Sequence, residues 1–304
     1  MMRMRDFRCL SCRLLLPLAL LAAFCPAANA QLPASFTTNI TVGAQTMTVN
    51  FTNHSIRSVN YAVQVQQADG SFLPFDPGPP STYLGTVVGQ PGAIACATLL
   101  TNGHFWAKIC FEAGNEWLYF SGPSVRAFSR GSTNFNFYNY PSSSLVTATG
   151  GAGTNIYAAE VAVDSGWNHF NGCGQSVYLT AMAVEHSILS VNYFYLRDNG
   201  VLHRIGEVFI RADFAQDPYH SIAAAGGKLD ACRVFLNANS TTHDVGAVVD
   251  SIGGGTAWVG VIGTGLRYSA NGFNGGVTGG GENGDFSQVW RHEVGHNWNC
   301  LDYE

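Results

Sequence analysis

Three residues near the end of the sequence have the types and spacing that hydrolysis needs: His292, Glu293 and His296, in the run Val289-Trp290-Arg291-His292-Glu293-Val294-Gly295-His296. If that run is helical, residues four apart share a face. His292 and His296 then present ring nitrogens to one ion about 2 Å away, and Zn2+ is the expected cofactor. Glu293 is one step round from the first histidine. That offset removes it as a ligand but lets it reach a water held by the metal and act as general base. A single helix supplies only two ligands, whereas a catalytic zinc takes a third protein group and keeps an open position. Asp302 lies six residues beyond His296. A tight turn at Asn299 would return it, because Asn tolerates the left-handed backbone better than most non-glycine residues.

The helix has a start signal in Asp285-Phe286-Ser287-Gln288, read as an N-cap at Asp285 with Gln288 completing a capping box. Upstream, Ile156 to Val163 reads as a strand. Gln175 to Leu196 is the longest stretch without Gly or Pro, with Val177, Met182, Ile188, Val191 and Tyr195 on one helical stripe. Ile205 to Phe214 is a second strand, and Thr256 to Ile262 is extended between glycines. Strand, helix, strand implies a βαβ unit and a partly parallel sheet. From Gln31 to Phe128 short alternating apolar runs separated by Gly, Pro and Asn predict antiparallel β structure. Residues 129–154, rich in Ser, Gly, Asn and Thr, have a linker's composition. The Gly-rich stretch 270–284 is followed by no Gly-Lys-Ser/Thr and reads as a loop, not a phosphate cradle.

Of the 304 residues only 12% are charged and the formal net charge is -5. With no basic run past the N-terminus, nucleic acid is excluded as a partner. Arg3, Arg5, Arg8 and Arg13 precede the apolar run Leu14 to Phe24 and an Ala28-Asn29-Ala30 cleavage signature, so residues 1–30 read as a secretion signal. That run is well short of the roughly twenty residues that span a bilayer, and the expected destination is secreted or extracytoplasmic. Cys96, Cys110, Cys173, Cys232 and Cys300 remain after cleavage, an odd set that allows at most two disulfides in an oxidising compartment. Cys96 and Cys110 lack a latency-switch motif, and His220 and His243 read as structural or surface residues.

The terminal run resembles the metzincin pattern H-E-x-x-H-x-x-G-x-x-H/D, aligned on His292, Glu293, His296, Asn299 and Asp302. Asn299 stands where that pattern has Gly, and the third ligand is Asp. Ser190 to Gly200, and His243-Asp244-Val245-Gly246 with Gly254 to Gly260, are similar to the reprolysin (adamalysin-like) branch. Tyr83 to Gly92 and Phe120 to Pro123 resemble pieces of its propeptide. The resemblance implies an α+β or α/β fold, a mixed and mostly parallel twisted sheet with long helices and the zinc helix at its C-terminal end. A β-rich propeptide domain (31–128) and a linker (129–154) would precede this catalytic domain (155–304).

By the same resemblance Thr256, Ala257, Trp258, Val259 and Gly260 form a substrate-binding edge, although an ordinary core strand reads equally well there. The implied activity is that of a secreted zinc endopeptidase, made as a zymogen, acting on protein or peptide substrates. The sequence stops two residues after Asp302, before the Met-containing turn and pocket wall of that clan, so an incomplete protease with little turnover is expected. The alternatives are a non-catalytic binding protein on the same fold, an inactive fragment, or a thermolysin-like site whose third ligand is a Glu on a later helix, for which no later helix exists in this sequence. Oligomeric state stays open.

Overall fold

Alternation of apolar and polar residues turns most of the N-terminal stretch into strands, because successive side chains on a pleated strand point to opposite faces. The computed structural model describes residues 32–111, 115–121, 125–130, 156–273 and 284–300. Strands β1 (Ser35–Val42), β2 (Gln45–Asn53), β5 (Thr82–Val87), β6 (Gln90–Leu99), β7 (Phe105–Cys110), β8 (Glu116–Phe120) and β9 (Arg126–Arg130) form one antiparallel sheet in that order. The sheet curls until β1 and β9 meet. Its inner face is filled by Ile40, Val49, Phe51, Ala95, Ala97, Ile109 and Trp117. The alternate residues Cys96, Trp106, Leu118 and Phe120 face the opposite way and join a second core.

Two strands from the same stretch leave this sheet. β3 (Arg57–Gln66) and β4 (Phe72–Phe75) form a hairpin that extends a mixed sheet built mostly from later residues. That sheet also contains β10 (Tyr157–Ser165), β11 (Val201–Ile210), β12 (Val245–Asp250), β13 (Gly255–Ala257) and β14 (Tyr268–Gly272), in the order β13-β14-β12-β10-β11-β3-β4. Strands β14, β12, β10, β11 and β3 run parallel, while β13 and β4 are antiparallel at the two edges. Residues 57–75, which the sequence assigns to a separate β-rich domain, therefore belong to the sheet of the later residues.

Among the described residues four α-helices complete the unit: α1 (Trp167–Gly172), α2 (Val177–Asn199), α3 (Ala225–Asn239) and α4 (Ser287–Asn297). The chain passes from β10 through α2 to the parallel β11, with the Ser176 hydroxyl capping the start of α2 and Gly200, at φ +66°, closing its end. The sequence predicts one apolar stripe on α2. The helix is instead buried nearly all round, because it lies between β11 and α4 on one side and β5 and β6 on the other. α3 covers the opposite face of the mixed sheet, with Leu229, Cys232 and Leu236 against Ala162, Phe209 and Val248.

Charged residues at the carboxyl ends of the parallel strands pair in the interior. Asp164 accepts from Arg211 Nε at 2.9 Å and Nη2 at 2.8 Å and from the Tyr219 hydroxyl, and Asp250 pairs with Lys228. Three histidines are buried close by or against α2. Burial lowers His169 and His186 to about 4 and His203 to about 3. The Gly284 carbonyl near His169, and Asp285 near His186, only partly offset this, while Lys108 near His186 adds to it.

Residues 1–30, read as a secretion signal, and residues 131–154 of the stretch read as a linker lie outside the described residues, while residues 129 and 130 belong to β9. No helix among those described is long and apolar enough to cross a membrane.

Two outcomes follow from the buried charges. Asp164→Ala leaves the Arg211 guanidinium buried and unpaired and should cost about 3–5 kcal/mol in urea unfolding; an unchanged midpoint would show that the pair contributes nothing. Since the folded values of His169, His186 and His203 lie below the unfolded one near 6.5, their stability is fully present above about pH 6.5 and is lost as the pH falls from there toward 4. Unfolding free energy should drop by on the order of 1–2 kcal/mol per histidine between pH 7.5 and 5, and a flat profile in that window would contradict the neutral burial of these rings.

Candidate metal centre

The helix carrying His292, Glu293 and His296 starts later than its sequence suggests. Its N-cap is Phe286, which makes no side-chain cap, and Gln288 completes no capping box. The physical reason is that Asp285 is fully buried and engaged elsewhere. Its carboxylate accepts from the Ser287 N–H at 2.9 Å and the Ser187 hydroxyl at 3.2 Å. Burial alone would raise its pKa, but Lys108 and His186 nearby and the Ser287 hydrogen bonds more than offset this and hold it below the usual carboxylate range.

At the other end α4 stops through a left-handed residue, and that residue is Asn299, at φ +76°. The Asn299 N–H donates to the His296 carbonyl at 2.8 Å and the Cys300 N–H to the Gly295 carbonyl at 2.9 Å, the paired bonds of a Schellman stop. This turn aims the Cys300 carbonyl back at the helix, 2.7 Å from His296 Nδ1. A carbonyl only accepts, so Nδ1 carries the proton and, in the neutral ring, Nε2 is the acceptor nitrogen. That nitrogen points at the partner ring: the two Nε2 atoms of His292 and His296 are 3.1 Å apart. Two nitrogens at that separation, each about 2.05 Å from a common point, subtend roughly 100° there, close to tetrahedral. The pair fits a zinc ion on the chemistry of its donors, the tautomer of His296 and the spacing of the two nitrogens.

Glu293 is on the same turn and nearly buried, 5% exposed. It packs under the edge strand β13 at Gly255. A Cβ placed on Gly255 would fall 2.5 Å from Glu293 Cγ and 2.7 Å from its Oε1, so only glycine lets the strand lie this close to the carboxylate. His292 is exposed.

The expected edge over Thr256 to Gly260 divides in two. Thr256 and Ala257 belong to β13, whose outer side has no partner strand among the described residues. Trp258, Val259 and Gly260 are not strand residues. Their main chain is spent on α4: the Trp258 carbonyl accepts from Asn297 Nδ2 at 2.9 Å, and the Gly260 N–H donates to the His296 carbonyl at 2.8 Å. Asn297 Nδ2 also reaches the Tyr268 carbonyl at the start of β14, at 3.1 Å. One buried amide thus ties the helix to the loop after the edge strand and to the neighbouring strand.

Asp302 lies outside the described residues, and among those described no group of three His, Cys, Asp or Glu gathers around a point. His243 bonds Ser240 and Tyr268, and His220 stacks on Phe214. Cys96 is packed in the core beside α2, where burial raises its thiol far above the range in which a thiolate would seek a metal. Gly255, Asn297 and the Cys300 carbonyl were missed in the sequence. The glycine triplet at 253–255 before an extended run was a usable signal for the first; the carbonyl has none, since any residue supplies one.

No family model matches the chain, and no curated protein matches it. Among solved structures, a chain from "Structure of a chaperone-substrate complex" aligns with a TM-score of 0.36 and 13% identity, covering 63% of this chain and 30% of that one. This chain spans under a third of that neighbour's length, and a likeness so low carries no argument.

The Asn299 turn can be tested. Asn299→Val puts a β-branched residue in the left-handed region at about 1–2 kcal/mol or more and should free the Cys300 carbonyl from His296, lowering zinc affinity about 10–100-fold. Asn299→Gly should keep it. Competition with a chromophoric chelator measures both, and equal loss in the two variants would remove the turn from the account.

Proposed function

We propose that this protein is a zinc-dependent endopeptidase of the metzincin type, similar to the reprolysin branch, working outside the cytoplasm on protein or peptide substrates. The observation that carries the reading is the convergence of His292 Nε2 and His296 Nε2 at 3.1 Å directly beside a Glu293 carboxylate lodged under an edge strand. Asp302 is the candidate third ligand. Zinc in this position supplies Lewis acidity toward a peptide carbonyl and toward water.

The chain's own groups do the rest. An extended peptide adds to the outer side of β13, pairing with the main chain of Thr256 and Ala257. Val259, 45% exposed, offers an apolar surface beside that strand. Glu293 takes the proton of the attacking water and returns it to the leaving amine. Gly255 excludes any side chain from the space between strand and carboxylate, and the Cys300 carbonyl keeps His296 Nε2 turned toward His292. A recognition protein that binds peptides on the same edge without cleaving them uses every one of these features except the proton transfer.

Glu293→Gln separates the two. In protein expressed from the full reading frame, zinc content should stay near that of the unsubstituted protein while casein hydrolysis falls by about 10²–10⁴. Zinc-loaded protein whose casein hydrolysis is unmoved by this substitution would be a binding module, and protein that takes up no zinc at all would end the metal reading.

A further inference from the structure

We propose that the β-rich N-terminal module is a permanent half of the working protein, retained after any scission between the two halves, and not a propeptide that is shed. This stands on packing alone and is independent of the proteolytic reading.

The first reason is β11. Its sequence, Val-Leu-His-Arg-Ile-Gly-Glu-Val-Phe-Ile, has a single exposed position, Arg204. Strands at a true sheet edge carry charges, prolines or bulges that discourage further pairing, and β11 reads as a central strand with both sides satisfied. It is central only because β3 lies against it in parallel, pairing Glu207 with Ala62 through Ile210 with Val65. Loss of the N-terminal module strips β3 and β4 away and leaves the row of amides and carbonyls of an apolar parallel strand open to any other chain.

The second is α2, whose outer side is closed by the same module. Trp106, Leu118 and Phe120 pack in one core with Met182, Leu189 and Val191. Polar groups are matched as well. Glu185, with its side chain fully buried, accepts from Arg57 Nε at 3.0 Å, Arg57 Nη2 at 2.8 Å and the Tyr61 hydroxyl at 2.7 Å. Thr98 bonds His186 at 3.0 Å, and the Ser81 hydroxyl meets Met182 Sδ at 3.1 Å. An inhibitory propeptide leaves behind a surface fit for water; this module would leave Met182, Leu189 and Val191 bare beside an unmatched Glu185 carboxylate.

The third is position. The module grips the start of α4, with Lys108 Nζ 3.4 Å from the Ser287 hydroxyl and 3.3 Å from Glu116, which in turn meets Arg291 at 3.4 Å. It does not cover the ligand end, since His292 is exposed with the module in place. Among the described residues its polar contacts with α4 are with Ser287 and Arg291, ahead of the first histidine.

The test uses the full chain carrying a tandem recognition sequence for a site-specific protease, with Gly-Ser spacers, inserted between residues 131 and 155. After complete cutting, verified on a denaturing gel, native size-exclusion should return both pieces in one peak at the elution volume of the uncut protein. Separation of the pieces, whatever their folded state, overturns the proposal. Hydrogen exchange on the uncut chain along a urea series gives a second readout. Amides of β3 and β6 to β8 should lose protection together with those of β10 to β12, and earlier independent loss of the β module overturns it. Neither readout depends on peptide hydrolysis, so an inactive protein would defeat the protease reading and leave this one to its own result.

Discussion

The structure is organised by one demand: α2 is a helix of 23 residues that is buried on nearly every side, so both its apolar residues and its buried polar ones, such as Glu185 and His186, need partners all round. A helix at the surface of a two-layer protein buries one stripe and wets the other. Covering this one takes two sheets, the mixed sheet beneath and the curled antiparallel sheet above, together with α4 alongside. Order along the chain follows from that geometry. The antiparallel sheet is made first and donates the β3–β4 hairpin to the mixed sheet, so the two layers share covalent chain as well as a core.

The candidate metal centre inherits its rigidity from the same packing. Phe286, Trp290 and Val294 bury one face of α4 in the core that contains α2, and the Tyr195 hydroxyl from α2 bonds the Arg291 carbonyl at 2.7 Å, one residue before the first histidine. Trp298 donates to His203 Nε2 at 3.2 Å from the far end. With the helix held at its start, middle and stop, the two imidazoles stand on a fixed element, and the turn at Asn299 orients the His296 ring through the Cys300 carbonyl. Ligands on rigid elements, with ring nitrogens oriented by hydrogen bonds to main chain, are what a preorganised metal site requires.

How far the sequence was legible depends on whether a feature is local. The i, i+4 histidines, the glutamate between them and the left-handed asparagine after the helix are local, and their geometry follows from helix periodicity and the backbone tolerance of Asn. The strand, helix, strand succession from residue 157 to 210 is legible for the same reason, through a change of apolar period from 2 to 3.6. Three features were not legible because they are settled by distant partners. The residues of α2 between its apolar stripe positions, such as Glu185 and His186, gave no sign of burial until Arg57, Tyr61 and Thr98 were known to face them. The hairpin Arg57–Phe75 carries the same alternation as its neighbours, and alternation cannot say which sheet a strand will join. Asp285 looked like a cap by local rules, but a buried lysine from β7 and a serine from α2 compete for its carboxylate.

That lysine bears on why α4 sits in one register. Lys108 is 2% exposed. Burial alone would drive its ammonium to deprotonate, yet Cys110, Glu116 and Asp285 around it raise its pKa overall. Glu116 and Asp285 face the same cation from different elements, one on β8 and one just before α4, and Arg291 meets Glu116 from the next turn of the helix. A cluster of this kind adds little net stability, since desolvation cancels most of the attraction. Its effect is on position. Apolar faces tolerate a sliding of one helix by a fraction of a turn, whereas a slide here would part buried charges at a cost of several kcal/mol. The register of α4 against the antiparallel sheet, and with it the place where His292 and His296 converge, is therefore set by charges that stand on the other half of the chain.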